Sequence, residues 1–199
     1  MTHTELGQRS GDAGFSLIEA MVATVILSVA VVSLADLLAT ATRDNMASRS
    51  TSRAVILAAQ KMEQLKGLAF AVDDGGTPVT DVSSNLAAFT ETGTCTGVAT
   101  GASVGLTPSP PGALATNTDG YVDYVNAQAC GLGGGIVPPA GTAYIRRWSI
   151  EPSDDGVDTL VLQVLVTERG VRTAVANDAS RGRMPQEARL VSAKTRRMP

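Results

Sequence analysis

Most hydrolytic chemistry at neutral pH depends on histidine, and this sequence of 199 residues holds one, His3. It precedes a long apolar run, in a stretch that reads as a segment removed on maturation, so the mature chain would carry no imidazole. That excludes Ser-His-Asp and Cys-His nucleophile activation, and any histidine-ligated zinc site. Enzymes built on carboxylates or lysines need a positive sign, and no grouping supplies one. Asp154, Asp155 and Asp158 lie in Pro152-Ser-Asp-Asp-Gly-Val-Asp158 without the spacing or closing glutamate of an EF-hand, as in a solvated hairpin turn. Gly131-Leu-Gly-Gly-Gly135 lacks the last glycine of a dinucleotide fingerprint and precedes no clear helix. No cofactor and no metal ion are expected. Cys95 and Cys130 are too few for a zinc ribbon and too far apart for a CxxC motif. Pairing with each other in an oxidising compartment is the natural reading, two separate buried thiols the alternative.

The elements that position these residues start with the apolar run. From Ala20 to Ala35 the chain has no charge, no proline and no glycine, and Leu37 and Leu38 continue the run beyond Asp36. About 20 helical residues cross a bilayer core, so the stretch is long enough. Three readings compete: a cleaved secretory signal, a permanent single-span anchor, or a helix that packs with copies of its kind. A secretory signal needs a basic n-region and a small-x-small cleavage site. Ala39-Thr-Ala41 offers the second, but ahead of the run Arg9 stands against Glu5 and Asp12, and a carboxylate, Glu19, is set inside otherwise uncharged sequence.

The decisive residues are Gly14-Phe15-Ser16-Leu17-Ile18-Glu19. This string resembles the processing motif of type IV prepilins and type II secretion pseudopilins, and an apolar helix follows it, as in that family. The resemblance implies a cytoplasmic leader over residues 1–14 and a cut between Gly14 and Phe15 by a prepilin peptidase, which then methylates the new N-terminus. It also implies assembly with other pilin or pseudopilin subunits. Glu19 has a physical reading of its own, because a carboxylate in hydrocarbon is costly unless paired. The new amine of Phe15 lies one helical turn away, and a neighbouring subunit's amine offers the same charge, which makes Glu19 the expected assembly residue. Arg43, Arg49 and Arg53 follow the helix while Arg9 alone precedes the motif, a count that by itself favours the opposite orientation. The motif takes precedence, because this family is cut on the cytoplasmic side.

Neither glycine nor proline occurs between Phe15 and Lys66, so one unkinked helix of roughly 75–80 Å is predicted to run to Gly67. Residues 15–42 form its membrane and filament-core part, residues 43–70 an amphipathic continuation. There Ala54, Ala58, Met62, Leu65 and Ala69 make an apolar stripe, with Arg53, Gln60, Lys61, Glu63 and Lys66 assigned to the other faces. Residues 71–199 form a periplasmic globular domain. Its first stretch, 72–141, is rich in Gly, Thr, Ala, Ser and Pro and reads as turns and long loops around one strand, Tyr121–Val125. Clearer strands are predicted over Ala143–Glu151 and Thr159–Glu168, where Leu160, Leu162, Val164 and Val166 share a face. Arg172–Ala176 and Ala188–Ala193 are weaker candidates. The fold class is α+β, a long helix on a small antiparallel sheet.

The net charge of −3 gives no broad case for nucleic acid. The tail is basic, with Arg181, Arg183, Arg189, Lys194, Arg196 and Arg197 against Glu187. It lacks interleaved aromatics to stack bases, and reads as a solvated terminus or a face for a neighbouring subunit. Ala58–Lys66 and Tyr144–Ile150 resemble minor pilins of the PilV type and, more distantly, the minor pseudopilin I. A retained Glu19 departs from the tip pseudopilin, whose helix usually lacks it. The expectation is a non-enzymatic subunit held in the inner membrane before assembly and in a pilus or pseudopilus afterwards. The competing reading is a single-span periplasmic binding protein or enzyme that does not polymerise.

Overall fold

The computed structural model describes residues 16–87, 95, 100–153, 158–169 and 187–198. They fall into two compact units that meet between Asn45 and Met46. Helix α1 spans Leu17–Gly67 as one element. It ends at the first glycine after the run, where Lys194 donates from its ammonium to the carbonyls of Lys66 and, at 2.8 Å, Leu68. A cation placed on the last carbonyls satisfies acceptors the helix itself leaves open.

The second unit contains the sheet. Two short strands, β1 (Phe70–Val72) and β2 (Pro78–Thr80), form an antiparallel hairpin. Five more, β3 (Val122–Val125), β4 (Gly131–Gly134), β5 (Tyr144–Pro152), β6 (Thr159–Glu168) and β7 (Glu187–Thr195), make an antiparallel sheet in the order β4-β3-β5-β6-β7. In β6 the alternation predicted from sequence holds: Leu160, Leu162, Val164 and Val166 are buried. Across the ladder Trp148 pairs with Val164 and Ile150 with Leu162. These residues share one core with Ala54, Leu57, Ala58, Met62 and Leu65 of α1, so the amphipathic part of the helix lies on the sheet. A smaller cluster, Val122, Tyr124 and Ile145, packs on the opposite face.

Four expectations are corrected. Lys61, assigned to the solvent face, is fully buried, and Ala69, assigned to the apolar stripe, lies beyond the helix end and is exposed. The stretch 72–141 carries β2 and β4 besides the strand expected near 121–125. The glycine run 131–135 supplies β4, and its glycines serve close approach. A Cβ on Gly134 would stand 2.6 Å from the Val122 carbonyl oxygen and 2.8 Å from the Ala87 methyl, so a side chain there would part the strand from its cover. The tail is the fourth. Arg197, expected in a solvated terminus or a face for a neighbouring subunit, exchanges backbone hydrogen bonds with Phe70 and Val72, at 3.0 and 2.9 Å, while the strand expected over Ala188–Ala193 is present within β7. Arg172–Ala176, Arg181 and Arg183 lie outside the described residues.

Cys95 and Cys130 are joined in a disulfide with a Cα–Cα separation of 5.3 Å. Cys130 ends the β3–β4 connection, in which Asn126 turns the chain by accepting the N–H groups of Gln128 and Cys130 on its side-chain oxygen, both at 2.9 Å. The bridge closes a loop of 35 residues in a glycine-rich region with little apolar side chain to bury. Replacing both cysteines by serine should lower the unfolding free energy by about 3–4 kcal/mol in the chain-entropy description. The check is the fall in urea midpoint of the oxidised full-length protein against the double variant.

Candidate assembly helix

The first unit is built by composition alone. The most apolar 18-residue window of α1 has a mean hydropathy of 2.4, and none of it is buried by the rest of the chain. Leu17 is 78% exposed, and Val25 and Val32 on one side of the helix and Leu27 and Leu34 on the opposite side are each 64–69% exposed. A helix that is apolar all round belongs in lipid or among other helices. Its threonine and serine hydroxyls are turned inward on its own backbone. The hydroxyls of Ser28, Ser33 and Thr42 donate to the carbonyls of Thr24, Val29 and Leu38, four residues back, at 2.7–2.9 Å. No side-chain donor of these three is left to face hydrocarbon unpaired. Glu19 lies in the first turn, where the positive helix end favours a carboxylate, and it is exposed. Gly14 and Phe15, the expected cleavage pair, lie outside the described residues.

The basic tail bonds inward as far as it is described. Arg196 stacks over the Phe70 ring at 4.1 Å, pairs with Asp158 at 3.1 Å, and donates to the carbonyls of Ala71 and Val79. Arg189 donates to Gln163. Lys194 caps α1 as above. These contacts fasten β7 to the helix end and to the β1–β2 hairpin. Asp158 is thereby a salt-bridge partner, while Asp154 and Asp155 lie outside the described residues.

Sequence reasoning missed a buried charged cluster that holds α1 on the sheet. Asp123 of β3 is 2% exposed and accepts two hydrogen bonds from Arg146 of β5, Nε to Oδ1 and Nη2 to Oδ2, both 2.7 Å. Lys61 of α1 reaches the same carboxylate, Nζ to Oδ2 at 2.7 Å. The Lys61 ammonium also donates to Gln64 and to the Leu86 carbonyl, and lies 4.5 Å from the centre of the Trp148 ring. Arg146 donates in addition to Gln60 at 3.2 Å. The signal was present: Leu57, Lys61 and Leu65 stand four residues apart, which places Lys61 on the apolar stripe. Burial pulls the lysine down from its usual value to about 8, with Arg146 adding to the fall and Asp123 opposing it. Burial also works to raise the Asp123 carboxyl, but the charges of Arg146 and Lys61 outweigh it and hold it below the usual carboxylate range. For Lys61 the unfolded chain holds the proton more tightly, so its contribution to stability rises with pH between about 8 and 10.5. For Asp123 the contribution is present above the free-aspartate value of 3.8 and is lost as pH falls below it. Asp123→Ala, which leaves two buried cations without their carboxylate, should cost about 3–5 kcal/mol. Lys61→Met, which keeps the Arg146–Asp123 pair, should cost clearly less and should lack the alkaline gain. Urea titrations of the detergent-solubilised chain across pH 7 to 10.5 compare the three.

Residues 9–35 match the family described as "Prokaryotic N-terminal methylation motif", a span that takes in Gly14, Phe15, Glu19 and most of the apolar run. No curated protein and no solved structure matches the chain significantly. The motif implies processing by a prepilin peptidase and assembly with other pilins, and it points to a structural subunit. Motif and apolar helix together are consistent with anchoring in the inner membrane and incorporation into a pilus. On these grounds the chain is supported as a type IV prepilin-like protein.

Proposed function

We propose that this chain is a minor pilin or minor pseudopilin, a non-enzymatic subunit that helps assemble or modify a type IV pilus or a type II secretion pseudopilus. The observation that carries the reading is the methylation motif running directly into a helix whose first part is apolar and exposed on every side. In this reading residues 1–14 are the leader, the peptidase cuts between Gly14 and Phe15, and residues 15–42 hold the chain in the inner membrane. The domain over 71–199 stands in the periplasm until assembly, its disulfide suited to that compartment. The PilV and pseudopilin I resemblance falls on Ala58–Lys66 and Tyr144–Ile150, the segments that supply Lys61, Arg146 and Trp148. It favours a minor over a major subunit. Glu19 acts in assembly, meeting the Phe15 amine of its own or a neighbouring chain across a medium where an unpaired carboxylate is costly.

N-terminal sequencing of membrane-derived protein should give a start at Phe15, and its mass should include one added methyl group. A start at Met1 or Thr42 would instead indicate an anchored or exported domain that does not polymerise. Glu19→Ala should leave cleavage and the folded domain intact while reducing this protein in sheared filaments severalfold relative to its membrane pool. Unchanged incorporation would remove Glu19 from the assembly step.

A further inference from the structure

Between α1 and the turn that joins β3 to β4 lies a hollow of about 530 Å³. Arg53, Ile56 and Leu57 of α1 line one side, Asn126–Ala129 of the turn line another, and Tyr144 at the start of β5 completes the lining. All of these residues belong to the second compact unit. The wall made by the turn is braced. Asn126 holds it through the N–H groups of Gln128 and Cys130, the Ala129 N–H donates to the Asn126 carbonyl at 3.1 Å, and the disulfide fixes Cys130. Ala129 is held at φ 66°, a conformation that glycine adopts freely and a residue with a Cβ resists. Strain of this kind persists only where the surroundings impose it, and it gathers at ligand sites. Here it puts an alanine on a wall whose backbone calls for glycine.

Two polar groups of the lining have no partner in the fold. Tyr144 is 5% exposed, and its hydroxyl forms no hydrogen bond among the described residues. That oxygen is not one of the side-chain atoms sealed from solvent, so it reaches the surface. The other two tyrosines spend their hydroxyls inside the domain: Tyr121 donates to the carbonyls of Thr107 and Pro108, and Tyr124 to that of Gly135. Arg53 is exposed and forms no salt bridge among the described residues. The lining contains no carboxylate, and its remaining surface is largely apolar carbon, from Ile56, Leu57, Ala127 and Ala129.

A single guanidinium balances a single negative charge, and its planar fork matches the two oxygens of a carboxylate. A doubly charged phosphate would keep one charge without a counter-ion. The tyrosine hydroxyl adds a further donor at the edge of the core, and the apolar carbon around it suits a hydrocarbon body. The volume falls within the range of small-ligand pockets. We infer that this hollow binds a small monocarboxylate with an apolar body, the carboxylate held by Arg53 and the Tyr144 hydroxyl. The site lies wholly in the folded domain and stands whether or not the chain polymerises.

The test is calorimetric titration of the full-length chain in nonionic detergent, with detergent alone as the blank and 3-phenylpropionate as the probe. Binding should be saturable with a Kd on the order of 1 mM, as suits so small a probe. The uncharged 3-phenylpropanamide, with the same body, should bind about tenfold more weakly. Arg53→Gln should weaken the acid about tenfold and abolish its advantage over the amide. Arg49→Gln, which changes an exposed arginine one turn earlier and outside the lining, should alter neither. Tyr144→Phe should weaken the acid about threefold and leave the urea midpoint unchanged, because the oxygen it removes has no partner among the described residues. Absence of saturable binding, equal binding of acid and amide, or equal effects of the two arginine variants overturns the site. Unchanged affinity in Tyr144→Phe, or a fall in its urea midpoint, overturns the part given to the hydroxyl.

Discussion

Residues 17–42 present apolar surface in every direction, and the rest of the described chain covers none of the most apolar stretch. Burial of one large aliphatic side chain is worth about 1.5–3 kcal/mol, so a dozen of them left in water would outweigh the net stability of a small domain. Lipid or neighbouring helices must supply the cover. The change of medium is written in Arg43, Asp44 and Asn45, the first run of consecutive polar residues after the apolar stretch. A buried face appears only after them, with Ala54, Leu57 and Ala58. One helix thus answers to two surroundings, and the N-terminal methylation motif over residues 9–35 covers the start of the apolar one.

The folded domain answers this demand by holding the other end of α1 with charge as well as with apolar packing. Asp123 of β3 is reached from one other strand and one helix, and a slide of α1 by one turn would set Leu57 or Leu65 in the place of Lys61. The carboxylate would then lose one cation to apolar carbon. Apolar packing alone tolerates such slips better, because Leu57 and Leu65 are interchangeable in shape. The cluster adds little net stability over a well-packed apolar core, and its contribution is a fixed helix register.

Much of the fold was legible in the sequence. The absence of glycine and proline between Phe15 and Lys66 gave the helix and its end, and period-two alternation gave β6 and its buried face. Lys61 was missed because a lysine at an apolar position is assigned to water by default, and its carboxylate partner comes from a strand 62 residues further on, a distance no local pattern spans. β4 was missed because its glycines carry no strand propensity. They are there for the space they leave to Thr100 and Ala87. β5 was expected over Ala143–Glu151 and lies at Tyr144–Pro152, although Tyr144–Ile150 is buried on both faces and lacks the alternation that marks a one-sided strand. Glu19, the residue proposed for assembly, stood out by its setting in uncharged sequence.

The ties between the two ends of the domain set the order in which it can be made. Lys194 holds the carbonyls that end α1 across 128 residues of sequence, and Arg197 bonds to Phe70 and Val72. The helix emerges during synthesis well before the lysine that caps it, so the strands between them must be made before the end of α1 is secured. Contacts so distant in sequence make folding slow. During that interval the apolar stripe of residues 54–65 has no sheet to lie on, and the thiols of Cys95 and Cys130 are open to oxidation before the strands that flank them are locked. In the proposed reading, membrane insertion of the apolar half of α1 would confine this unfinished chain to one surface, and keep its exposed stripe from meeting others in bulk solution while β7 arrives.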